Sequence, residues 1–192
     1  MQRDQVTALI LAGGKATRMG GVDKRELVIA GRTIFERQVE ALAPCVAEII
    51  VSSPRPIAGH RSVRDPVAGA GPLAGIAAGL AAAATPWLFV IAGDMPYVHR
   101  AFVELVLSRG DDDCDAVGIR IGGLAEPLCT VMRVAAWADV VAGRLAAGRL
   151  KASSLLTDEP LRVRWIEEGE LRAVDPQLRA LHNVNAPEDM SP

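Results

Sequence analysis

Near its start the chain passes from a short apolar run into a loop that is rich in glycine and carries two cations. Val6–Leu11 predicts a buried strand, and four glycines fall within residues 13–21. Glycines after a buried strand leave backbone N–H groups open and let a ligand approach the main chain closely. Arg18 and Lys24 lie in the same loop and would suit a polyphosphate. The alternative is a tight turn with two solvated charges, but such a turn needs one glycine rather than four.

Strand and helix patterns alternate through the first half of the chain. The predicted strands are Val6–Leu11, Glu48–Val51 and Trp87–Ala92. The predicted helices run from the Thr33–Glu36 capping box to about Ala43, from Pro72 to Ala84, and from Ala101 to Ser108. Strands that alternate with helices predict a parallel sheet that is covered by helices on both faces.

The last third of the chain has a different pattern. Two strand-like segments, Ala116–Ile121 and Leu128–Met132, are separated by Gly122-Gly123, which indicates a turn or hairpin. A helix is predicted over Ala135–Ala147, and Arg162–Ile166 alternates basic and apolar residues as an edge strand does. No linker or internal repeat divides the chain. The sequence therefore predicts a single-domain α/β protein, a Rossmann-like three-layer sandwich whose mostly parallel sheet has an antiparallel addition.

Composition argues against several classes of protein. Half of the 192 residues are hydrophobic, as in a globular protein with a sizeable core. A formal net charge of −2 and scattered arginines give no reason to expect a nucleic-acid partner. Cys45, Cys114 and Cys129 are widely spaced and form no C-x-x-C pair, so reduced thiols are expected. No segment has the pattern of a signal peptide or membrane span, so no membrane partner is expected and the cytoplasm is the expected location.

Asp94 follows the strand Trp87–Ala92 after a single glycine. In open α/β sheets ligands bind at the carboxyl ends of the strands, so Asp94 and the loop after Leu11 are expected to border one crevice. Mg²⁺ in proteins is commonly held by one or two carboxylates together with substrate phosphates, which makes Asp94 a candidate metal ligand. The alternative is a turn or cap aspartate, which would be preferred if the glycine loop and its cations were absent.

A second glycine-containing segment precedes the helix that begins at Pro72. Gly69, Gly71 and Ala74 fit the dinucleotide pattern G-x-G-x-x-A, but Pro72 removes an N–H where a pyrophosphate would need donors. Glycines before a helix N-terminus can still border a ligand. Asp65, upstream of these glycines, is either a turn cap or a ligand contact.

Two asparagines lie close to the end of the chain. Asn183 and Asn185 point the same way if the segment is extended. The alternative for Asn185 is the cap of a helix that starts at Pro187. Asn185 can cap this helix while Asn183 contacts a ligand, so the two roles are compatible.

Four segments, taken in order, resemble those of one enzyme family. They are L-A-G-G-x-x-x-R-M-G-x-x-D-K at 11–24, G-P-L-A-G at 71–75, G-D-x-P at 93–96 and N-x-N-x-P-E-D at 183–189. The chain is similar over nearly its whole length to nucleotidyltransferases that attach GMP or CMP to molybdopterin, above all the molybdenum cofactor guanylyltransferases. The resemblance implies a nucleotide-diphospho-sugar transferase-like fold, as one domain over 1–192. Its nucleotide half would cover about 1–98 and its acceptor half about 99–192.

The resemblance also implies an activity and a set of site residues. GMP would pass from GTP to the terminal phosphate of molybdopterin, pyrophosphate would leave, and Mg²⁺ would be the cofactor. The implied catalytic residues are Arg18, Lys24 and Asp94, with Asp94 as the metal ligand. The implied nucleotide and molybdopterin contacts are Leu11, Ala12, Gly13, Gly14, Lys24, Ser52, Asp65, Gly71, Asp94, Asn183 and Asn185. Glu126-Pro127-Leu128 resembles the segment that lines the acceptor site, and its alternative is the start of an ordinary strand.

One position departs from the family pattern, and three rival functions stay open. Many relatives have an asparagine where this chain has Ser52, a shorter side chain that could reach the nucleotide through water. A CTP-using relative tends to have L-A-A-G where this chain has Leu-Ala-Gly-Gly, which favours GTP. The other rivals are a sugar-phosphate nucleotidyltransferase, usually a longer chain, and a non-catalytic protein that delivers molybdopterin. Other cofactor-biosynthesis proteins and apo-molybdoenzymes are the further partners that the resemblance implies.

Overall fold

The computed structural model describes residues 1–12, 26–67 and 69–184, and its centre is a seven-stranded sheet. The strands, in chain order, are β1 (Val6–Leu11), β2 (Val28–Ile29), β3 (Arg32–Thr33), β4 (Glu48–Ser52), β5 (Arg61–Val63), β6 (Trp87–Ala92), β7 (Ala116–Ile121), β8 (Leu124–Arg133) and β9 (Val163–Glu167). The sheet order is β5-β4-β1-β6-β8-β7-β9, while β2 and β3 form a separate antiparallel pair. Within this sheet β8 is antiparallel to both neighbours and the other pairs are parallel. The predicted antiparallel addition is confirmed.

Helices cover both faces of the sheet. They are α1 (Ile34–Leu42), α2 (Pro72–Ala82), α3 (Arg100–Ser108), α4 (Val134–Ala146), α5 (Leu155–Asp158) and α6 (Glu168–Arg172). One hydrophobic cluster joins the sheet to α1, α3 and α6, and a second joins it to α2, α4 and α5. The structure is therefore the three-layer α/β sandwich that the alternating pattern predicts.

Strand β6 shows why the central strands are continuous apolar runs. All six of its residues are buried. Phe89 and Ile91 pack into the first cluster, whereas Leu88 and Val90 pack into the second. A strand with a helix layer on each face has no solvent side, so its sequence shows no polar alternation.

Local signals set most helix boundaries. At the start of α1 the Thr33 hydroxyl accepts from the Glu36 N–H at 3.1 Å, and the Glu36 carboxylate accepts from the Thr33 N–H at 2.8 Å. This confirms the capping box, which satisfies two N–H groups that the first turn of a helix leaves unpaired. At α2, Pro72 is the first helical residue and Gly71 before it has a φ of +66°, which favours glycine.

Some elements of the structure differ from the sequence prediction or are absent from it, among them β5, α5 and α6. Strand β8 begins at Leu124, four residues before the predicted Leu128, because its half-exposed first residues have no continuous apolar pattern. The short β2–β3 pair was not predicted, and it turns at Ala30 and Gly31, both with positive φ. The three cysteines are buried and unpaired, as expected. In the described residues no helix is long and apolar enough to span a membrane.

Candidate functional site

The carboxyl ends of β1, β4 and β6 meet at one edge of the sheet. Leu11 is in register with Ser52 on one side and with Ala92 on the other. Beyond these pairs, the Ala12 N–H donates to the Ser52 carbonyl and the Gly93 N–H donates to the Leu11 carbonyl, each at 3.0 Å. The strand ends that the sequence predicts to border one crevice are therefore joined by a continuous backbone hydrogen-bond ladder.

Gly93 lets Asp94 emerge directly beside the end of β1. A Cβ atom on Gly93 would lie 2.7 Å from the Leu11 carbonyl oxygen, closer than real Cβ contacts allow. The requirement for glycine thus comes from the close approach of two backbones, and the Asp94 side chain that follows is half-buried at the strand end. This is the position that the sequence predicts for a metal-binding carboxylate.

The C-terminal segment returns to the same place. The Val184 N–H donates to the Asp94 carbonyl oxygen at 2.8 Å. Val184 is 1% exposed and packs with Ile29 and Ile34, so the contact is anchored by a small hydrophobic cluster. Asn183, next in sequence to this anchor, is exposed. The structure thereby brings two segments that the sequence treated separately, 93–96 and the asparagine segment, into direct contact.

Ser52 and Asp65 form the other wall. The Ser52 hydroxyl donates to the Asp65 carboxylate at 2.6 Å, although Asp65 itself is exposed. The helix α2 approaches closely here, because a Cβ on Gly75 would lie 2.7 Å from Leu11 Cδ2 and 2.9 Å from Ser52 Oγ. Gly71, which precedes that helix, is exposed. The Asp65 side chain is therefore hydrogen-bonded to strand β4, and its role as a ligand contact stays a prediction.

Glu126 belongs to the site neighbourhood and was not among the predicted site residues. Strands β6 and β8 are antiparallel with Ile91 opposite Cys129, Asp94 follows the end of β6, and the Asp94 and Glu126 carboxylates interact electrostatically. Burial raises the pKa of Glu126, and the Asp94 carboxylate raises it further, against the lowering effect of the Leu128 N–H. The sequence signal was the resemblance of Glu126-Pro127-Leu128, which lies inside β8, to the segment that lines the acceptor site, with the start of an ordinary strand as its alternative.

The carboxylates near this edge fit magnesium better than a metal with a full set of protein ligands. Across residues 1–12, 26–67 and 69–184 no group of three or more His, Cys, Asp or Glu side chains could hold a metal ion. Asp94 with Glu126 nearby offers hard oxygen ligands, and Mg²⁺ usually takes one or two carboxylates plus phosphate oxygens and water. The donor set thus fits an ion that is completed by its substrate.

Several predicted site residues fall outside the described residues. They are Gly13, Gly14, Arg18, Lys24 and Asn185. Their roles stay predictions. The described residues next to them are Ala12 and Val184. Ala12 is hydrogen-bonded to Ser52 and Val184 to Asp94, so both lie at the carboxyl edge of the sheet.

The chain shares this mostly parallel α/β fold with solved nucleotidyltransferases. A family model described as the MobA-like NTP transferase domain matches residues 8–162. The chain belongs to this family.

Relatives match the chain over nearly its whole length. It is 32% identical over 191 residues to the molybdenum cofactor guanylyltransferase of Desulfosudis oleivorans, covering 97% of this chain and 93% of that protein. It is 33% identical over 190 residues to the protein of the same name from Cereibacter sphaeroides, covering 95% and 92%. The crystal structure of molybdopterin-guanine dinucleotide biosynthesis protein A from Archaeoglobus fulgidus aligns with a TM-score of 0.80 and 26% identity, covering 96% of this chain and 94% of that one.

Proposed function

We propose that this chain transfers GMP from GTP to the terminal phosphate of molybdopterin. A phosphate oxygen of molybdopterin forms a bond to the α-phosphorus of GTP, and the bond from that phosphorus to the leaving pyrophosphate breaks. The observation that carries the proposal is the similarity, over 97% of the chain, to a protein named molybdenum cofactor guanylyltransferase. The position of Asp94, directly after Gly93 at the end of β1, supports the proposal, because a carboxylate there would hold the metal ion that this chemistry uses.

The nucleophile in this reaction needs no general base. A phosphate monoester loses its second proton near pH ~6, so it is largely a dianion at neutral pH. The histidine closest in sequence to Asp94 agrees with this, since His99 caps α3 by accepting from the Phe102 N–H at 3.3 Å. The protein's task is therefore to align two anionic substrates and to neutralise their charge.

Asp94 would hold Mg²⁺. Glu126 would be a second carboxylate close enough to interact electrostatically with Asp94. When bound, such an ion neutralises phosphate charge and orients the phosphate oxygens. The exposed main-chain groups after β1 would seat the nucleotide, and Arg18 and Lys24 would stabilise the α-phosphate transition state and the departing pyrophosphate. Asn183 and Asn185 would contact molybdopterin, with Asn183 beside the Val184 anchor. The buried, unpaired thiols are compatible with a cytoplasmic location.

Guanine should be preferred over cytosine. A purine needs a wider slot, and Gly14 has no Cβ to narrow it. Guanine also presents an acceptor and donors that exposed main-chain groups around Gly71 and Pro72 could match, and each polar group left unpaired by a wrong base costs about 1–3 kcal/mol.

The decisive experiment measures pyrophosphate release with GTP or CTP, each with and without molybdopterin, at fixed Mg²⁺. We expect release only when GTP and molybdopterin are both present. Equal or faster turnover with CTP in direct competition would assign the protein to the cytidylyl-transferring relatives. Tight molybdopterin binding without pyrophosphate release from either nucleotide would favour a delivery protein.

A further inference from the structure

Beneath the Asp94 loop, helix α1 carries a fully buried amide that contacts the loop on both sides of the carboxylate residue. Gln38 is 0% exposed. Its Nε2 donates to the Ala92 carbonyl oxygen at 2.7 Å and to the Met95 carbonyl oxygen at 3.2 Å. These two carbonyls bracket Gly93 and Asp94. We propose that Gln38 is a positioning residue that fixes Asp94 for metal and phosphate binding, an inference that rests on the proposed function.

The loop needs such support because it leaves the sheet before any helix begins. Strand β6 ends at Ala92 and α3 starts at Arg100, so the carbonyls between them have no regular partner. The Asp94 carbonyl is taken by the Val184 N–H at 2.8 Å, and the Pro96 carbonyl by Arg37 Nε at 2.8 Å. With the two bonds from Gln38, four carbonyls of residues 92–96 accept from donors outside the loop.

Packing alone does not explain a glutamine at this position. The buried stripe of α1 consists of Ile34, Gln38, Ala41 and Leu42, so Gln38 stands in an otherwise apolar row. Its Oε1 is buried and has no hydrogen-bond partner among the described residues, which is destabilising. An apolar side chain of the same size would avoid that penalty. The residue is accounted for by the two carbonyls that its Nε2 satisfies.

A neutral amide also suits the electrostatics of the site. The Gln38 amide orders the backbone on both sides of Asp94 without adding a charge to the site. Substituting groups that orient a metal-binding side chain commonly costs about 10–100-fold in metal affinity or activity. We therefore expect Gln38 to act on metal binding and turnover more than on nucleotide binding.

The test compares Gln38→Met, which keeps the length and removes both donors, with Val141→Ala, which loosens the core on the opposite face of the sheet. Mn²⁺ dissociation from the protein–GTP complex is measured by electron paramagnetic resonance, together with kcat, KM for GTP and the Tm. For Gln38→Met we expect Mn²⁺ affinity and kcat per folded molecule to fall about tenfold, with KM for GTP changed by less than about twofold. For Val141→Ala we expect a lower Tm with wild-type affinity and kcat.

Wild-type Mn²⁺ affinity and kcat in Gln38→Met, or the same changes in Val141→Ala, would overturn the proposal. If Gln38→Met does not fold, Gln38→Asn decides: its amide is one methylene shorter, and weaker Mn²⁺ binding supports the proposal while unchanged binding overturns it. The proposed function is tested separately by pyrophosphate release from the wild type. If the wild type releases no pyrophosphate, the proposed function fails. The Mn²⁺ affinities of the wild type and Gln38→Met would still show whether Gln38 positions Asp94.

Discussion

The loop after β6 and the outer edge formed by β7 and β9 are stabilised by different kinds of contact. At the loop, the groups that hold residues 92–96 include the buried, uncharged Gln38 amide and the Val184 backbone N–H. At the outer edge, arginines pair with carboxylates across the strands. These pairs are Arg162–Asp115 at 3.0 Å, Arg164–Asp111 at 2.6 Å and Arg120–Glu167 at 3.0 Å.

The difference follows from what each region must do. Ion pairs at an exposed edge discourage pairing with another chain, and solvent and salt screen each of them. At the site, the Gln38 amide, the Val184 N–H and the Arg37 side chain order the backbone around Asp94 by donating to its carbonyl oxygens. Changes at the loop should therefore affect turnover, whereas changes at the edge should affect stability in a way that depends on pH and salt.

The largest effect is expected at the carboxylate of the loop. Asp94→Asn removes the charge and nearly preserves the volume, so the fold should persist while turnover falls by at least about 10²-fold. Rates of pyrophosphate release and Tm values are compared with the wild type. Near-normal turnover at ordinary Mg²⁺ would mean that the metal is held elsewhere.

Gly93→Ala should disturb the same loop through packing. The new Cβ would lie 2.7 Å from the Leu11 carbonyl oxygen, which is backbone and cannot turn aside. We expect the free energy of unfolding to fall by about 1–3 kcal/mol. Each kcal/mol corresponds to a Tm lower by roughly 2–4 °C. Gly143→Ala is the matched control, because its Cβ would meet nothing within 4 Å in helix α4. A Tm for Gly93→Ala as high as that of the control would contradict the close approach.

Asp115→Asn tests the ionic edge. Hydrogen bonds from the Arg162 side chain and N–H hold the pKa of Asp115 below its usual range, so its ionised form stabilises the fold above the ordinary aspartate pKa of about 3.9. That contribution is lost as pH falls through the lowered pKa. At pH 7 and low salt we expect the Tm of Asp115→Asn to be about 2–4 °C below that of the wild type. This difference in Tm should disappear in acid. Asp112→Asn is the control, since Asp112 is fully exposed in the same loop and its pair with Arg133 is longer, at 3.7 Å, so solvent screens it almost completely. A gap that persists in acid, or that the control reproduces, would argue against an ionic origin.

The smallest effect is expected at Glu126. Its pKa is raised mainly by burial, so ionisation costs stability as pH rises from the ordinary glutamate pKa of about 4.3 to the raised value. Glu126→Gln should therefore raise the Tm slightly at pH 8 and leave it unchanged in acid. Thermal melts at the two pH values check this, and a lower Tm at pH 8 would show that the ionised carboxylate is stabilising.

The sequence predicted best the elements whose signals are local and strong. The bounds of β1 and β6 agree with the predicted Val6–Leu11 and Trp87–Ala92, because both strands are apolar runs bounded by glycine or polar residues. The capping box and Pro72 set the starts of α1 and α2. The start of β8 was placed too late because the first residues of the strand are partly exposed, so no continuous apolar run marks them in the sequence.

The candidate site was predicted in part. Asp94 and the loop after Leu11 were expected at one edge, and the Leu11–Ala92 register confirms that their strand ends are neighbours. Gln38 was missed because a glutamine in an amphipathic helix has no local signal for burial. Only its partners, 54 and 57 residues away, explain it.

By itself, the sequence determined the alternation of strands and helices, the caps, and the positions where glycine breaks a strand, since these depend on neighbours within a turn or two. The tertiary structure alone decided that β8 lies beside β6, that Val184 binds the Asp94 backbone, and that Gln38 supports the same loop. Such contacts join distant residues, and which of them form is settled by how the helices and sheet bury their apolar faces together.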